Sequence, residues 1–320
     1  MKSIGGYFEL ELNNEGEYHK KLLRLNTARN ALEYLLKAQN FRKIYIPYFT
    51  CDVILEPLKK LNIPFEFYNI DCKFEPIFNF DLVKESECFL YTNYFGIKDL
   101  YIHDLKTKID NLIIDSAQSF FSKPLENIHT IYSPRKFFGV SDGAYLATNR
   151  LLDENLQNDI SFDRMNHLLL RADLNAEEGY AEFCKNDSVL INNPIRSMSQ
   201  LTQKILCSID YTGVKEIRRK NFDFLDSKLK NKNLLNLKVS EDSIPMVYPF
   251  WSHKKDLKKV LLNNRIYCAT YWPNVLEWCN DNDLEKVLTM EVVYLPIDQR
   301  YCEEDMKFII QCINNSLNDV

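Results

Sequence analysis

Two residues, Asp115 and Lys136, stand in an order that suits one kind of chemistry. They lie in Ile113–Thr148, IIDSAQSFFSKPLENIHTIYSPRKFFGVSDGAYLAT. Asp115 closes an apolar run, Lys136 follows inside S133-P-R-K136, and Gly139 and Gly143 come just beyond. A carboxylate keeps a pyridine nitrogen protonated so that the ring withdraws electrons, and an amine forms a Schiff base with an aldehyde. Pyridoxal 5'-phosphate needs both groups, so the order reads as a cofactor enzyme.

Each residue also has a plainer reading. Asp115 follows NLII, and ligands of open α/β sheets collect at the carboxyl ends of strands. An Asp there equally caps a following helix. Gln118 extends toward the same ligand or faces solvent. A Schiff-base lysine needs a deprotonated amine, which burial and a neighbouring charge such as Arg135 favour. The alternative for SPRK is a surface turn with a basic pair. Ser133 is placed to donate its hydroxyl to a phosphate. The chain has only eight glycines, yet Gly139 and Gly143 flank the lysine loop and Gly96 ends YTNYFG, as backbone conformations that demand glycine would require. For the phosphate, L25-N26-T27-A28-R29 precedes an amphipathic pattern, with Asn26 or Thr27 as its cap. Free N–H groups at such a helix start, with the Thr27 hydroxyl, make an anion site or simply an ordinary cap. Neither GxxxxGK(S/T) nor GxGxxG occurs.

The elements that must position these residues alternate. Lys43–Pro47, Phe65–Ile70, Cys88–Thr92, Asn111–Ile114 and Thr130–Tyr132 read as strands, apolar enough for a sheet covered on both faces. Between them Ala28, Ala31, Leu32, Leu35 and Leu36 recur at helical spacing, and Val53, Ile54, Pro57, Leu58 and Leu61 do so more loosely. The pattern predicts an α/β fold with a mostly parallel, doubly wound sheet. Beyond Arg196, Met198–Lys230 reads as one long helical stretch with Gly213 as its only candidate break. Strands are expected at Ile244–Trp251, Ile266–Tyr271 and Val292–Pro296, and helices at Lys255–Asn263 and around Met306, Ile309, Ile310, Ile313 and Leu317. Residues 1–205 are expected to form a large cofactor-binding domain, with 206–320 supplying a connecting helix and a small α/β domain. A loop near Arg164–Tyr180 and the aromatic segment Tyr271–Trp278 are candidates for the substrate side, or for packing.

Composition sets the bounds. The 320 residues carry a formal charge of −5 and no basic stripe, which argues against a nucleic-acid partner. The N-terminus lacks the apolar core of a signal peptide and no segment is long enough to span a bilayer, so a cytoplasmic protein with no membrane partner is expected. Nine cysteines form no CxxC pair and the five histidines do not cluster with them, so no metal site is expected.

In order, these pieces resemble the DegT/DnrJ/StrS family of sugar aminotransferases, which are fold-type-I pyridoxal-phosphate enzymes. D115-S-A-Q118 matches the family's D-x-A-Q, and K136-F-F-G139-V-S-D-G143-A resembles K-x-x-G-x-G-E-G-G. N26-T27-A28 lies where the family contacts the phosphate, and I46-P47-Y48-F49-T50 resembles its I-x-P-x-x-T strand end. I195-R-S-M-S-Q-L201, I217-R-R219 and V293-Y-L-P-I297 are similar to later family segments. The resemblance covers nearly the whole chain, with D-x-A-Q and K-x-x-G its specific part.

The resemblance implies that Lys136 and Asp115 are catalytic. It implies that Asn26, Thr27, Ala28, Phe49, Cys51, Gln118 and Ser133 join them in binding pyridoxal 5'-phosphate. Cys51 stands where the family often has a ring-stacking aromatic, with Phe49 or Tyr48 as substitutes. Ser133 stands in for a serine expected at Ile131, and Arg29 is bulky beside a phosphate loop. Asn193 and Arg196 belong to a segment that, by resemblance, touches substrate or the other subunit's cofactor in a homodimer. The implied reaction is ping-pong transfer of an amino group, from glutamate, to a nucleotide-linked keto sugar in glycan synthesis. A pyridoxal-phosphate enzyme acting on an amino acid or small amine, and a catalytically silent binding protein, are the rival readings.

Overall fold

In the computed structural model, which describes residues 4–318, β1 (Leu23–Leu25), α1 (Ala28–Gln39), β2 (Lys43–Pro47), α2 (Leu55–Lys60), β3 (Phe65–Ile70) and β4 (Pro76–Ile77) come first. They are followed by β5 (Glu87–Thr92), α3 (Asp99–Leu105), β6 (Leu112–Ser116), β7 (His129–Tyr132) and β8 (Ala144–Ala147). These strands form one eight-stranded sheet in the order β1-β8-β7-β6-β5-β2-β3-β4. Neighbours from β3 to β7 pair parallel, whereas β1, β8 and β4 join antiparallel.

Period-two alternation divides the strand residues between two faces. Ile44, Ile46, Leu90, Ile113 and Ile131 pack with Ala31, Leu32 and Leu35 of α1 and Leu58 of α2. Tyr45, Phe89, Tyr91, Ile114 and Tyr132 face the other way, toward Ile102 and Leu105 of α3. Helices therefore cover both faces, as the continuous apolarity of the strands requires. The second face continues as one cluster through Phe222, Leu225, Tyr248, Tyr294 and Ile309.

The rest of the chain supplies α4 (Asn166–Asp173), α5 (Ala176–Val189), α6 (Gln200–Cys207), α7 (Tyr211–Leu229), β9 (Val247–Phe250), α8 (Leu257–Asn263), α9 (Val275–Trp278), α10 (Leu284–Glu291), β10 (Val293–Pro296) and α11 (Glu303–Asn318). Strands β9 and β10 pair antiparallel as a separate two-stranded sheet. Met306, Ile309, Cys312 and Ile313 bury one face of α11.

Three expectations are corrected. The stretch Met198–Lys230 is two helices, divided at 208–210. Asp210 accepts the N–H groups of Thr212 and Gly213 and so starts α7, which leaves Gly213 inside the first turn. A capping carboxylate ended the stretch where glycine was expected to. Residues 266–271 form no strand: the Ile266 N–H turns back to the Leu261 carbonyl, and β9 and β10 pair only with each other. An extended segment without a ladder partner has nothing to hold it as a strand. The segment near Arg164–Tyr180 is mostly helical rather than a loop, built from α4 and the start of α5. Asn175 caps α5, and a Cβ on Gly179 would lie 2.8 Å from the His167 carbonyl, so the two helices meet where only glycine fits.

Candidate active site

The carboxyl ends of β5, β6 and β7 lie side by side, with Asp115 opposite Thr92 on one neighbour and Ile131 on the other. That register delivers Asp115 and the loop after β7, which carries Lys136, to one edge of the sheet. No helix follows Asp115. Its Oδ1 instead accepts the Ala117 N–H at 2.9 Å, closing a local turn, and its second oxygen has no hydrogen bond among the described residues. Burial pushes the Asp115 carboxyl up, while the Ala117 N–H and the nearby Lys136 charge pull it down. Lys136 ends a short 3-10 turn, Pro134–Lys136, and its side chain is exposed. Cys51 stands within electrostatic reach of Lys136, and burial pushes its thiol up.

The start of α1 lies at the same edge. Of the two candidate caps it is Thr27 that acts, its Oγ1 accepting the Asn30 N–H at 3.1 Å. The Ala28 and Arg29 N–H groups in that first turn have no acceptor among the described residues, so they remain open to an anion. Asn26 differs from the expectation. It is fully buried, its Oδ1 accepts from Asn30 and the Arg196 N–H, and its Nδ2 donates to the Pro194 carbonyl. Its carbonyl oxygen and one of its two amide hydrogens therefore hold residues 194–196 against α1. Arg29 turns away, pairing with Glu56 at 3.0 Å and donating to the Leu190 carbonyl, which clears its bulk from the helix start.

Gln118 is buried, and its Oε1 accepts the Phe95 N–H at 3.2 Å. This ties the turn after β6 to the loop after β5. A Cβ on Gly96, whose φ is +70°, would meet the Ile244 carbonyl at 3.0 Å, so this close approach requires glycine. Neither aromatic suggested as a substitute for Cys51 is free. Phe49 has no exposed surface and is enclosed by Phe74, Tyr94 and Trp272, while Tyr48 stacks on Phe67 at 4.5 Å. Cys51 itself occupies the position near Lys136.

Ser133 is buried directly before the lysine turn, and its hydroxyl has no hydrogen bond among the described residues. Arg135 swings from the site to Asp187 on α5. Arg196 pairs with the buried Asp159 at 3.3 Å, and the Asn193 carbonyl accepts from Asn30, so both lie beside the same α1 start.

Sequence reasoning passed over Asp142. Fully buried, it accepts the Ser199 N–H at 2.9 Å, the Ser199 hydroxyl at 2.7 Å and the Thr202 hydroxyl. This locks the start of α6 to the lysine loop. Asn274 was also missed; its Nδ2 donates to the Thr50 carbonyl at 2.9 Å, pinning the end of β2. The sequence signal for Asp142 was its place at the acidic position of the K-x-x-G-x-G-E-G-G resemblance, between Ser141 and Gly143.

No family model matches the chain, and no curated protein matches it. Solved structures do. The sugar aminotransferase CalS13 of Micromonospora echinospora is similar over 92% of this chain and 87% of its own, with TM-score 0.62 and 13% identity. A DegT DnrJ EryC1 StrS aminotransferase of Brucella abortus matches 92% of this chain and 85% of its own, with TM-score 0.62 and 16% identity. The chain shares their fold. NtdA of Bacillus subtilis, solved with bound cofactor PMP, has it too, at TM-score 0.61 and 13% identity over 93% of this chain and 73% of its own. The resemblance read from D-x-A-Q and K-x-x-G therefore has a counterpart in three dimensions, and the expected fold-type-I architecture is the one observed. No described helix is long and apolar enough to cross a membrane.

Proposed function

We propose that the chain is a pyridoxal 5'-phosphate-dependent aminotransferase that passes an amino group from an amino acid, glutamate in the first instance, to a nucleotide-linked keto sugar. One observation carries this reading: Asp115, Lys136 and the open first turn of α1 meet at one edge of a sheet whose fold is that of sugar aminotransferases. We place it in glycan synthesis in the cytoplasm, acting as a homodimer, with residues 1–205 as the cofactor domain and 206–320 as the smaller one.

The residues fit the cofactor. The Ala28 and Arg29 N–H groups and the Ser133 hydroxyl would hold the phosphate at the positive end of the α1 dipole. The unpartnered oxygen of Asp115 would meet the ring nitrogen. When bound, the cofactor supplies an electron sink that makes a proton on the donor's Cα removable. Asp115 would keep the ring nitrogen protonated, and that cation would in turn offset the cost of ionising the carboxyl. Lys136 Nζ would hold the cofactor, and as a free amine the same Nζ would take the donor's Cα proton as base and return it as acid. Gln118, pinned by Phe95, would border the ring beside Asp115, and Cys51 would leave a small side chain where a large ring would otherwise stand. Asn193 and Arg196, beside α1, are assigned to the substrate or partner side.

The test is the visible spectrum of the purified protein with pyridoxal 5'-phosphate, before and after L-glutamate. A band that depends on Lys136 and shifts with glutamate is expected, and Lys136→Ala should abolish turnover. Transamination retained by Lys136→Ala would sink the assignment. A Lys136-dependent band that glutamate leaves unmoved would call for another donor, or for the silent binding protein.

A further inference from the structure

Arg218 of α7 is 2% exposed and heads the large, fully buried side chains of the described residues. Its Nε donates to Gln299 Oε1 at 3.0 Å. Its Nη1 donates to the carbonyls of Met246 at 3.1 Å and Pro245 at 3.5 Å. The guanidinium also lies over the Phe137 ring, 4.5 Å from its centroid. Gln299 completes the circuit, its Nε2 donating to the Phe137 carbonyl at 2.8 Å.

Phe137 is the residue after Lys136. Its own N–H and that of Phe138 both return to the Pro134 carbonyl at 2.9 Å, so the turn that bears the lysine is closed on itself. From outside, that turn is gripped at the Phe137 ring and at the Phe137 carbonyl, and both grips lead to Arg218. No carboxylate among the described residues lies within ion-pair distance of the guanidinium. Asp298, the acid that acts on it, is engaged by Arg300. Burial accordingly pulls Arg218 down to about 10.

A cation held by neutral acceptors is a costly way to fill a core that a methionine would fill. What a methionine lacks is the planar fork, which binds β9's leading segment, the loop after β10 and an aromatic face at once. We propose that Arg218, acting with Gln299, is a positioning residue that fixes Phe137 and thereby the direction from which Lys136 enters the site. The C-terminal third of the chain thus sets the geometry of the lysine at the sheet edge. This rests on the reading of Lys136 as the cofactor-bearing amine, and the grip on the turn is testable without it.

The experiment compares wild type with Arg218→Met and Gln299→Leu. The second variant leaves the guanidinium and its two backbone carbonyls in place, so it decides the matter if the first does not fold. In cofactor-free protein, amide hydrogen exchange over 133–138 should quicken by about fivefold or more in both variants, with β5 unchanged. In loaded enzyme, the single-turnover rate at which saturating L-glutamate shifts the Lys136-dependent band should fall roughly 10- to 100-fold while the half-saturating L-glutamate concentration moves less than about threefold, because a displaced lysine slows the proton transfer and leaves donor binding intact. Unchanged exchange over 133–138 in folded variants would overturn the proposal, as would a rise in the half-saturating L-glutamate concentration at a constant half-reaction rate. A wild-type protein lacking a Lys136-dependent band would instead overturn the aminotransferase reading, and the exchange measurement would still decide whether Arg218 holds the turn.

Discussion

Asp115 is held in tension at the residue scale. Burial raises its carboxyl, and only the Ala117 N–H and Lys136 oppose that. A raised carboxyl is protonated more readily in the folded chain, so its contribution to stability is present at low pH and lost as pH rises through the folded value. Above that folded value the ionised group therefore costs the cofactor-free protein stability. Asp115→Asn should raise the thermal midpoint without cofactor, yet weaken cofactor binding by roughly 10- to 100-fold, the worth of a charge-assisted hydrogen bond. Thermal melts with and without pyridoxal 5'-phosphate check both signs, and an undiminished cofactor-induced rise would count against Asp115 as the ring's partner. Much at this scale was legible in advance: Thr27 as a cap, and Asp115 and Lys136 as neighbours. What misled was chemistry without geometry. Asn26 has the right groups for a phosphate, but Asn30 and residues 194–196 engage its oxygen and one of its amide hydrogens, and Phe49 has a suitable ring that the core encloses.

The lysine loop and α6 depend on one another at the scale of elements. Asp142 receives three hydrogen bonds from residues at the start of α6, where a carboxylate also complements the helix dipole. Asp142→Ala would strand those buried donors, and a loss of about 3 kcal/mol in urea-unfolding free energy is expected. A loss below about 1 kcal/mol would mean that water reaches the gap. Strands β2 and β3 could be read to the residue because uninterrupted apolar runs bounded by breakers have few alternatives. The α4–α5 pair could not. Its exposed faces carry Leu169, Leu174, Tyr180 and Phe183 alongside charges, so no single apolar stripe marks it as helical. Strand β8 was hidden for a different reason: its sequence AYLA is short, and it gains its identity from pairing with β7 and β1. Residues 266–271 show the converse, a run with strand composition and no partner.

The whole molecule is joined by the cluster that runs from Tyr91 and Tyr132 into Tyr248 and Ile309, and a segment before β1 is packed onto it through His19. The His19 ring lies 4.2 Å from that of Tyr132, and its Nε2 bonds the Phe120 carbonyl at 2.7 Å, a contact the neutral ring makes as donor. Burial, opposed by that carbonyl, pulls His19 down to about 4. Between pH 6.5 and that value the unfolded chain takes up a proton that the folded chain refuses, so stability must fall as pH drops. The ceiling for His19 is about 3 kcal/mol. His129 and His167 are lowered by burial too and act with the same sign. Asp115, raised, acts with the opposite sign, so the slope is cleanest in the Asp115→Asn background, where the window from pH 6.5 to 5 is left to the histidines. Urea unfolding across it should show stability falling with acidification, and His19→Gln should flatten that slope whatever it does to stability at pH 7. An unchanged slope in that variant would mean that the segment before β1 detaches before the ring protonates, and that the cluster survives without it.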